Sequence, residues 1–331
     1  IDVVTLGNNH IVDYGAIGML DTMEGLDGLG IRWFGAGMSE YLALLPNFWT
    51  EQGIRLGFLG LSNRTGRRWN YQPFLDAGFD KPGFAYLLPD NLERSIGGTR
   101  ELADVVIVQT HSGNEYQPQP PGEDEPGGAK IAGGGYLGHA HPDPFADDAY
   151  GWTEPPPVEV AEPGPNAPEF RFRIEPTPGE RQLRRLALDL GADILINHHP
   201  HVLQGFEAYE GKLIAHSLGN FIFDLGYVET VPTGVLTLEI DETGIVGYRF
   251  TPAWIDHWIP RPATGRLGRE INARMADYSR PRGAIVAPIP FTDEVRIHLS
   301  RAGLDSTVID QQAVVTLEER DGHAVSAPLR L

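Results

Sequence analysis

Three short apolar runs, each followed at once by a loop that carries histidine, constrain the fold of this chain most. The runs are Val3–Leu6, Val105–Val108 and Ile194–Ile196, and the histidines that follow them in the sequence are His10, His111, His198, His199 and His201. Apolar, β-branched runs of this length are typical of buried strands in a parallel sheet. Open α/β sheets bind ligands beyond the carboxyl ends of their strands, and neutral imidazole is the commonest metal ligand. The pattern therefore predicts an α/β fold with a metal site at one edge of a sheet.

Composition narrows the function classes. The chain has 331 residues, no cysteine and a formal net charge of −19. Without cysteine, disulfides, thiolate metal ligands and a cysteine nucleophile are excluded. The strong negative charge argues against a nucleic-acid partner, because phosphate binding needs a basic surface. No apolar run approaches the roughly 18 residues of a membrane span.

The chain opens directly on a core strand, so we expect it to be truncated at its amino end. A membrane contact, if there is one, is expected only through a segment that precedes Ile1.

Helical periodicity separates the strands and suggests how the domains are arranged. We expect helices that begin at Asp13 and Ser39 and helices over Asn91–Ala103 and Gly179–Leu190, flanking the sheet on both faces. Residues 1–224 are predicted to form one α/β domain. Residues 117–178 interrupt it with an acidic insertion that holds 14 of the 27 prolines. Residues 225–331 are predicted to form a β-rich extension with helices.

The segment Leu6–Gly15 contains the first candidate site residues. The carboxamide oxygen of Asn9 can bind a metal, and His10 can protonate a leaving group. Asp13 is placed to support this site and can also cap the following helix. The alternative is an asparagine-rich turn that only caps the helix, with His10 packed nearby.

The other candidates follow the second and third strands. His111 can bind a metal with Glu115 orienting it, or it can be a hydrogen-bonded loop residue beside an ordinary surface acid. In an extended segment, residues two apart point the same way. His199 and His201 are therefore predicted to face one site, with His198 turned away.

The six remaining histidines are less strongly indicated. His139 and His141 have the same spacing but lie inside the insertion, so a surface loop is the better interpretation. His216 is expected to be a core histidine bonded to backbone. His257, His298 and His323 have no supporting context.

Four motifs in this order resemble one family. They are Asn-Asn-His-x-x-Asp-Tyr-Gly, His-x-Gly-x-Glu-Tyr, Gly-Ala-Asp-x-x-x-x-His-His-Pro-His-Val-x-Gln and Ser-Leu-Gly-Asn-Phe-Ile-Phe-Asp. Over roughly residues 1–224, apart from the insertion, the chain resembles the CapA-type proteins of poly-γ-glutamate capsule synthesis, in the calcineurin-like metallophosphoesterase superfamily. The resemblance implies a metallophosphatase-like layered β-sandwich flanked by helices.

The resemblance also implies a site and its cofactors. Metal ligands would be Asn9, His111, His199 and His201, and His10 would act on the leaving group. One or two divalent ions (manganese, zinc or iron) are implied. Capsule polymer or its precursors and capsule-synthesis proteins are the implied partners, and the cell envelope is the implied location.

The chain departs from the family pattern at three places. The superfamily's aspartate-bearing first motif and bridging acid should precede Asn9, but nothing in this sequence precedes that segment. Asn197 and His198 stand where a glycine precedes the last histidine pair, and Ser112 replaces the usual aromatic residue after His111.

Two functions of different classes remain open at this point. The chain is expected to be a metal-dependent hydrolase, with phosphoester hydrolysis, amide chemistry and epimerisation as the candidate reactions. The alternative is a non-catalytic accessory that binds polymer or partner proteins of the capsule machinery. Only local basic clusters such as Arg64–Arg68 would then attract a polyanion, and such a cluster is more often a solvated loop.

Overall fold

The computed structural model describes residues 1–63, 75–113, 178–224 and 228–300. These residues form two compact units, Ile1–Pro200 and His201–Leu331. Five α-helices are present in the described ranges: α1 Gly15–Gly28, α2 Glu40–Ala43, α3 Pro89–Arg100, α4 Pro178–Asp189 and α5 Gly265–Ser279. None of the described helices is long and apolar enough to cross a membrane.

The first unit contains eight described strands. They are β1 Val3–Thr5, β2 Arg32–Phe34, β3 Ala36–Gly37, β4 Asn47–Glu51, β5 Ile54–Ser62, β6 Gly83–Phe84, β7 Val105–His111 and β8 Ile194–His198. Strands β4, β5, β7 and β8 lie side by side in that order. The pairs β5–β7 and β7–β8 are parallel, whereas β4 is antiparallel to β5. Two short sheets, parallel β1–β2 and antiparallel β3–β6, complete the unit.

The second unit is dominated by antiparallel strands. Its described strands are β9 Leu203–Tyr209, β10 Lys212–Leu218, β11 Pro232–Asp241, β12 Gly244–Asp256, β13 Ile259–Pro262, β14 Ile285–Pro288 and β15 Val295–His298. Strands β9 and β10 form a hairpin. A separate sheet has the order β11–β12–β15–β14, with β13 paired to β12.

The predicted α/β class is confirmed, with sheets flanked by helices. Helices α3 and α4 lie within three residues of their predicted bounds, because each carries a clear apolar stripe. Gly191 follows α4 with φ +114°, as expected of a glycine that ends a helix. Strands β2, β4 and β9 were not predicted, because polar residues interrupt their apolar positions.

Asp13 does not cap α1, so that prediction is wrong. The helix begins at Gly15 after Tyr14, and no side chain accepts a hydrogen bond at this cap. The Asp13 carboxylate instead contacts the ring of His10, as described below. Ser39 does cap α2, since its hydroxyl accepts a hydrogen bond from Leu42 N.

Asp193, in the Gly-Ala-Asp part of the third motif, sets the position of β8. Its Oδ2 accepts hydrogen bonds from Val106 N at 2.7 Å and from Arg100 Nη1 at 2.5 Å. One carboxylate thus joins the start of β8 to the start of β7 and to the end of α3. This part of the motif is structural, and it brings the carboxyl ends of β7 and β8 to the same edge.

Candidate metal and proton-transfer site

Two of the predicted histidines meet at the carboxyl ends of β7 and β8. These strands pair in parallel with His111 opposite His198, so His199 lies one residue beyond the paired region. His111 Nε2 lies 3.0 Å from His199 Nδ1, and the ring centroids are 4.6 Å apart. His199 is buried and His111 half-buried. Both imidazoles therefore present a nitrogen to the same point.

The loop after β1 brings the Asn9 carboxamide to that point. Asn9 is buried, and its Oδ1 lies 2.8 Å from His111 Nε2. The loop can come this close because three glycines pack backbone to backbone beneath it. A Cβ on Gly7 or on Gly35 would lie 2.9 Å from the backbone of Gly60 in β5.

His10 occupies the exposed side of the same loop. Its Nδ1 lies 2.8 Å from Asp13 Oδ2, and both side chains are well exposed. A carboxylate that accepts the Nδ1 hydrogen leaves Nε2 as the nitrogen that exchanges a proton. That nitrogen lies 3.4 Å from Asn9 Nδ2. The His10–Asp13 pair is thus built like a general acid beside the Asn9 carboxamide.

The two contacts of His111 Nε2 have the spacing of neighbouring ligands on one divalent cation. A neutral imidazole nitrogen has either a hydrogen or a lone pair, so His111 Nε2 cannot donate to Asn9 Oδ1 and also accept from His199 Nδ1. Donors bound at right angles to one cation at about 2.1 Å lie about 3.0 Å apart, and the observed separations are 2.8 and 3.0 Å. In the described ranges, no group of three or more His, Cys, Asp or Glu side chains could hold a metal. The cluster is therefore two imidazoles and one carboxamide.

A buried polar network lies under the two histidines. Asn197 is fully buried, and its Oδ1 accepts hydrogen bonds from Thr110 Oγ1 at 2.7 Å and Ser112 Oγ at 2.6 Å. Its Nδ2 donates to the carbonyl oxygens of Ser112 at 3.0 Å and His198 at 2.9 Å. All four hydrogen-bonding positions of the amide are thus used. The two departures from the family pattern, Ser112 and Asn197, bond to each other.

Residues 199 and 201 do not continue the strand. His199 has φ +97° and His201 has φ +62°, both in the left-handed half of backbone space. The prediction of His199 and His201 sharing a direction assumed extended backbone, and that argument is wrong. His198 does lie in the strand, and burial lowers its pKa to about 4. In the described residues, no hydrogen bond joins the His198 ring to the cluster. Its predicted orientation away from the site stays a prediction.

The second unit holds His201 and His216. His201 Nδ1 lies 2.6 Å from Asn220 Oδ1. His216 is buried, as expected of a core histidine, and its Nε2 lies 2.8 Å from Oε2 of the equally buried Glu207. Sequence reasoning gave no role to Asn197 or Asn220. The quoted motifs could have indicated both residues. Asn197 lies in the third motif, near the candidate ligand His199, and Asn220 is the asparagine of the fourth motif.

Several predictions fall outside the described residues. They concern Glu115, His139, His141, His323, the Arg64–Arg68 cluster and residues 117–177 of the insertion. His257 and His298 are described and lie in the second unit. His257 pairs with Asp256 at 2.8 Å, in an arrangement similar to that of His10 with Asp13.

The fold and this cluster define an α/β protein with a carboxamide- and imidazole-lined edge of a parallel sheet. The family model described as "Bacterial capsule synthesis protein PGA_cap" matches residues 1–131 and 171–225, more than half of the chain. This chain belongs to that family. The roles of the individual site residues stay predictions.

Curated relatives agree with the family. Capsule biosynthesis protein CapA of Bacillus anthracis is 25% identical over 287 residues, which is 86% of this chain and 55% of that protein. PGA biosynthesis protein CapA of Bacillus subtilis is 27% identical over 261 residues, 78% of this chain and 52% of that protein. The chain thus spans about half the length of these relatives.

Solved structures show only weak similarity. Sulfate thiohydrolase SoxB of Thermus thermophilus gives a TM-score of 0.38 at 12% identity, covering 87% of this chain and 38% of that one. The Haemophilus influenzae NAD nucleotidase gives 0.36 at 11% identity, covering 85% and 46%. At these TM-scores the similarity supports no functional conclusion.

Proposed function

We propose that this chain is a metal-dependent hydrolase of the metallophosphoesterase type that acts in capsule biosynthesis. The observation that carries the proposal is the approach of Asn9 Oδ1 and His199 Nδ1 to within 2.8 and 3.0 Å of one nitrogen of His111. Each of these three atoms can offer a lone pair to a cation. A divalent cation is the partner that suits all three.

Each site residue has a distinct role in this proposal. Asn9, His111 and His199 hold one divalent ion, and His201 of the second unit is a candidate metal ligand. Manganese, zinc and iron suit this donor set of nitrogen and oxygen. Such an ion, when bound, polarises an oxygen of the substrate and lowers the pKa of water. His10 donates a proton to the leaving group, and Asp13 holds the His10 ring so that Nε2 faces the reaction. Glu115 is a further candidate to orient His111.

Capsule polymer or one of its precursors is the proposed substrate. The family description and the names of both CapA relatives support this choice. Other capsule-synthesis proteins are the proposed partners, and the cell envelope is the proposed location. Nucleic acid is not a proposed partner, because the net charge is −19.

The test separates metal binding from proton transfer in the full chain. His10→Ala should lower metal-dependent hydrolysis by about 10²–10⁴-fold, the usual loss for a general acid, with metal content unchanged. His199→Ala should lower both rate and metal content. The matched control is His257→Ala, which removes a histidine with the same carboxylate contact at 2.8 Å in the second unit. The substrates are a chromogenic phosphomonoester and poly-γ-glutamate, with metal measured by elemental analysis.

Two outcomes would overturn the proposal. Hydrolysis that continues in the presence of a chelator would show that the reaction needs no metal. Equal effects of His10→Ala and His257→Ala would show that His10 has no specific role in catalysis. Binding of poly-γ-glutamate without any hydrolysis would favour the alternative, a non-catalytic component of capsule assembly or export.

A further inference from the structure

The segment after β10 forms a rigid turn in the second unit. Ser217 Oγ accepts a hydrogen bond from Gly219 N at 3.2 Å. Gly219 has φ +75°, and a Cβ there would lie 2.8 Å from Pro232 O, so glycine is required. Thr233 Oγ1 in β11 donates to Leu218 O at 2.9 Å and also to Asn220 O. Thr233 therefore holds the Leu218–Asn220 backbone at both of its ends.

This turn aims the Asn220 carboxamide at His201. Asn220 is buried, with 7% of its surface exposed, and its Oδ1 lies 2.6 Å from His201 Nδ1. The Phe223 ring packs on the His201 ring with centroids 5.0 Å apart, which restricts rotation of the imidazole. The contact is short and partly buried, with the Asn220 side chain buried and the His201 ring half-buried.

The chemistry of the contact decides which imidazole nitrogen has the hydrogen. A carboxamide oxygen can only accept, so Nδ1 of His201 must donate. In a neutral imidazole the other nitrogen, Nε2, then has the lone pair. The opposite amide orientation would place an N–H against Nδ1 and move the hydrogen to Nε2, where it would prevent coordination.

We propose that Asn220 is a positioning residue that fixes His201 in the Nδ1–H tautomer, so that Nε2 is the atom presented to a divalent cation. This rests on the proposed function, in which His201 is a metal ligand. It also explains the Ser-Leu-Gly-Asn motif, because those residues build the turn that holds Asn220 in place. Hydrogen-bonded partners of this kind typically change metal affinity by about 10–100-fold when removed.

The tautomer can be measured without metal. Histidine is labelled with ¹⁵N in the full chain, metal is removed with a chelator, and long-range ¹H–¹⁵N correlation identifies the protonated nitrogen. The pH is set about two units above the ordinary imidazole pKa of about 6.5, so that the ring is neutral. Nδ1–H is expected in the wild type and in Asn220→Asp, which keeps an acceptor. Asn220→Leu should shift His201 toward Nε2–H, with the His257 signals as internal control.

Metal titration completes the test. Asn220→Leu should weaken Zn²⁺ or Mn²⁺ binding by about 10–100-fold, and Asn220→Asp should stay close to wild type. An Nε2–H tautomer in the wild type would overturn the inference without any variant, as would an unchanged Nδ1–H tautomer in Asn220→Leu. If the tautomers behave as expected but the wild type binds no metal, the proposed function fails and the Asn220 contact stands.

Discussion

Asn197→Ala should destabilise the first unit more than any other single hydrogen-bond deletion near the site. The substitution removes the acceptor for Thr110 Oγ1 and Ser112 Oγ, two hydroxyls in residues that are 2% exposed. It also removes the two N–H groups that donate to the carbonyl oxygens of Ser112 and His198. The His198 oxygen still accepts a hydrogen bond from Ser112 N at 3.1 Å. Two orphaned hydroxyls at about 1–3 kcal/mol each predict a loss of about 2–6 kcal/mol in the free energy of unfolding.

A double-mutant cycle tests whether the network acts as a unit. Ser112→Ala removes one donor but leaves Asn197 with its other partners, so it should cost about 1–2 kcal/mol. The double variant should cost at least about 1 kcal/mol less than the sum of the single variants, because they share a hydrogen bond. Urea denaturation followed by circular dichroism measures each free energy. Asn47→Ala is the control: it loses one side-chain hydrogen bond, to Trp33 O at 3.1 Å, and should cost about 1 kcal/mol.

Two results would refute this reasoning. A loss below about 1 kcal/mol for Asn197→Ala would show that the four bonds contribute no more than one ordinary bond does. Strict additivity with Ser112→Ala would show that the contact between the two residues is not energetically coupled.

Two further predictions concern packing and pH. Gly35→Ala should lower the free energy of unfolding by about 2–4 kcal/mol, because the φ of Gly35 is +87° and the new Cβ would lie 2.9 Å from Gly60 O. Gly25→Ala in α1, where the new Cβ would meet open space, should raise it by about 0.5–1 kcal/mol. Thermal unfolding measures both, and equal effects would contradict the close backbone packing. Burial, aided by the charge of Arg296, lowers the pKa of His298. The unfolded chain therefore binds more protons as the pH falls below about 6.5, and stability is lost there. His298→Asn should flatten this loss in urea midpoints between about pH 7 and 5, and an unchanged slope would contradict it.

The sequence predicted the secondary-structure framework because its signals are local. Helix α4 has a clear apolar stripe ended by Gly191, and β7 and β8 are nearly continuous apolar runs. Strand β9 was not found, because Gln204 and Glu207 interrupt it and yet are buried. Their burial depends on partners elsewhere in the chain, such as His216 for Glu207, which no local pattern reveals.

The sequence indicated that Asn9, His111 and His199 belong together, but it did not indicate their geometry. Histidine and asparagine after successive strands indicated that Asn9, His111 and His199 belong to one edge. Their relative orientation depends on the backbone of His199, whose φ of +97° breaks the alternation that the prediction used. Backbone of this kind is imposed by long-range packing, and a non-glycine residue gives no local sign of it.

If His199 and His201 bind metal as proposed, their left-handed backbone places stability and activity in opposition at the same two positions. Glycine tolerates positive φ at little cost, whereas a side chain there is strained by about 1–3 kcal/mol. A library selected only for thermostability should therefore favour glycine at one or both positions and lose metal binding in the same step. A library selected for function should keep the imidazoles and recover stability elsewhere. Engineering for robustness should accordingly leave residues 199 and 201 fixed and begin with open helix positions such as Gly25.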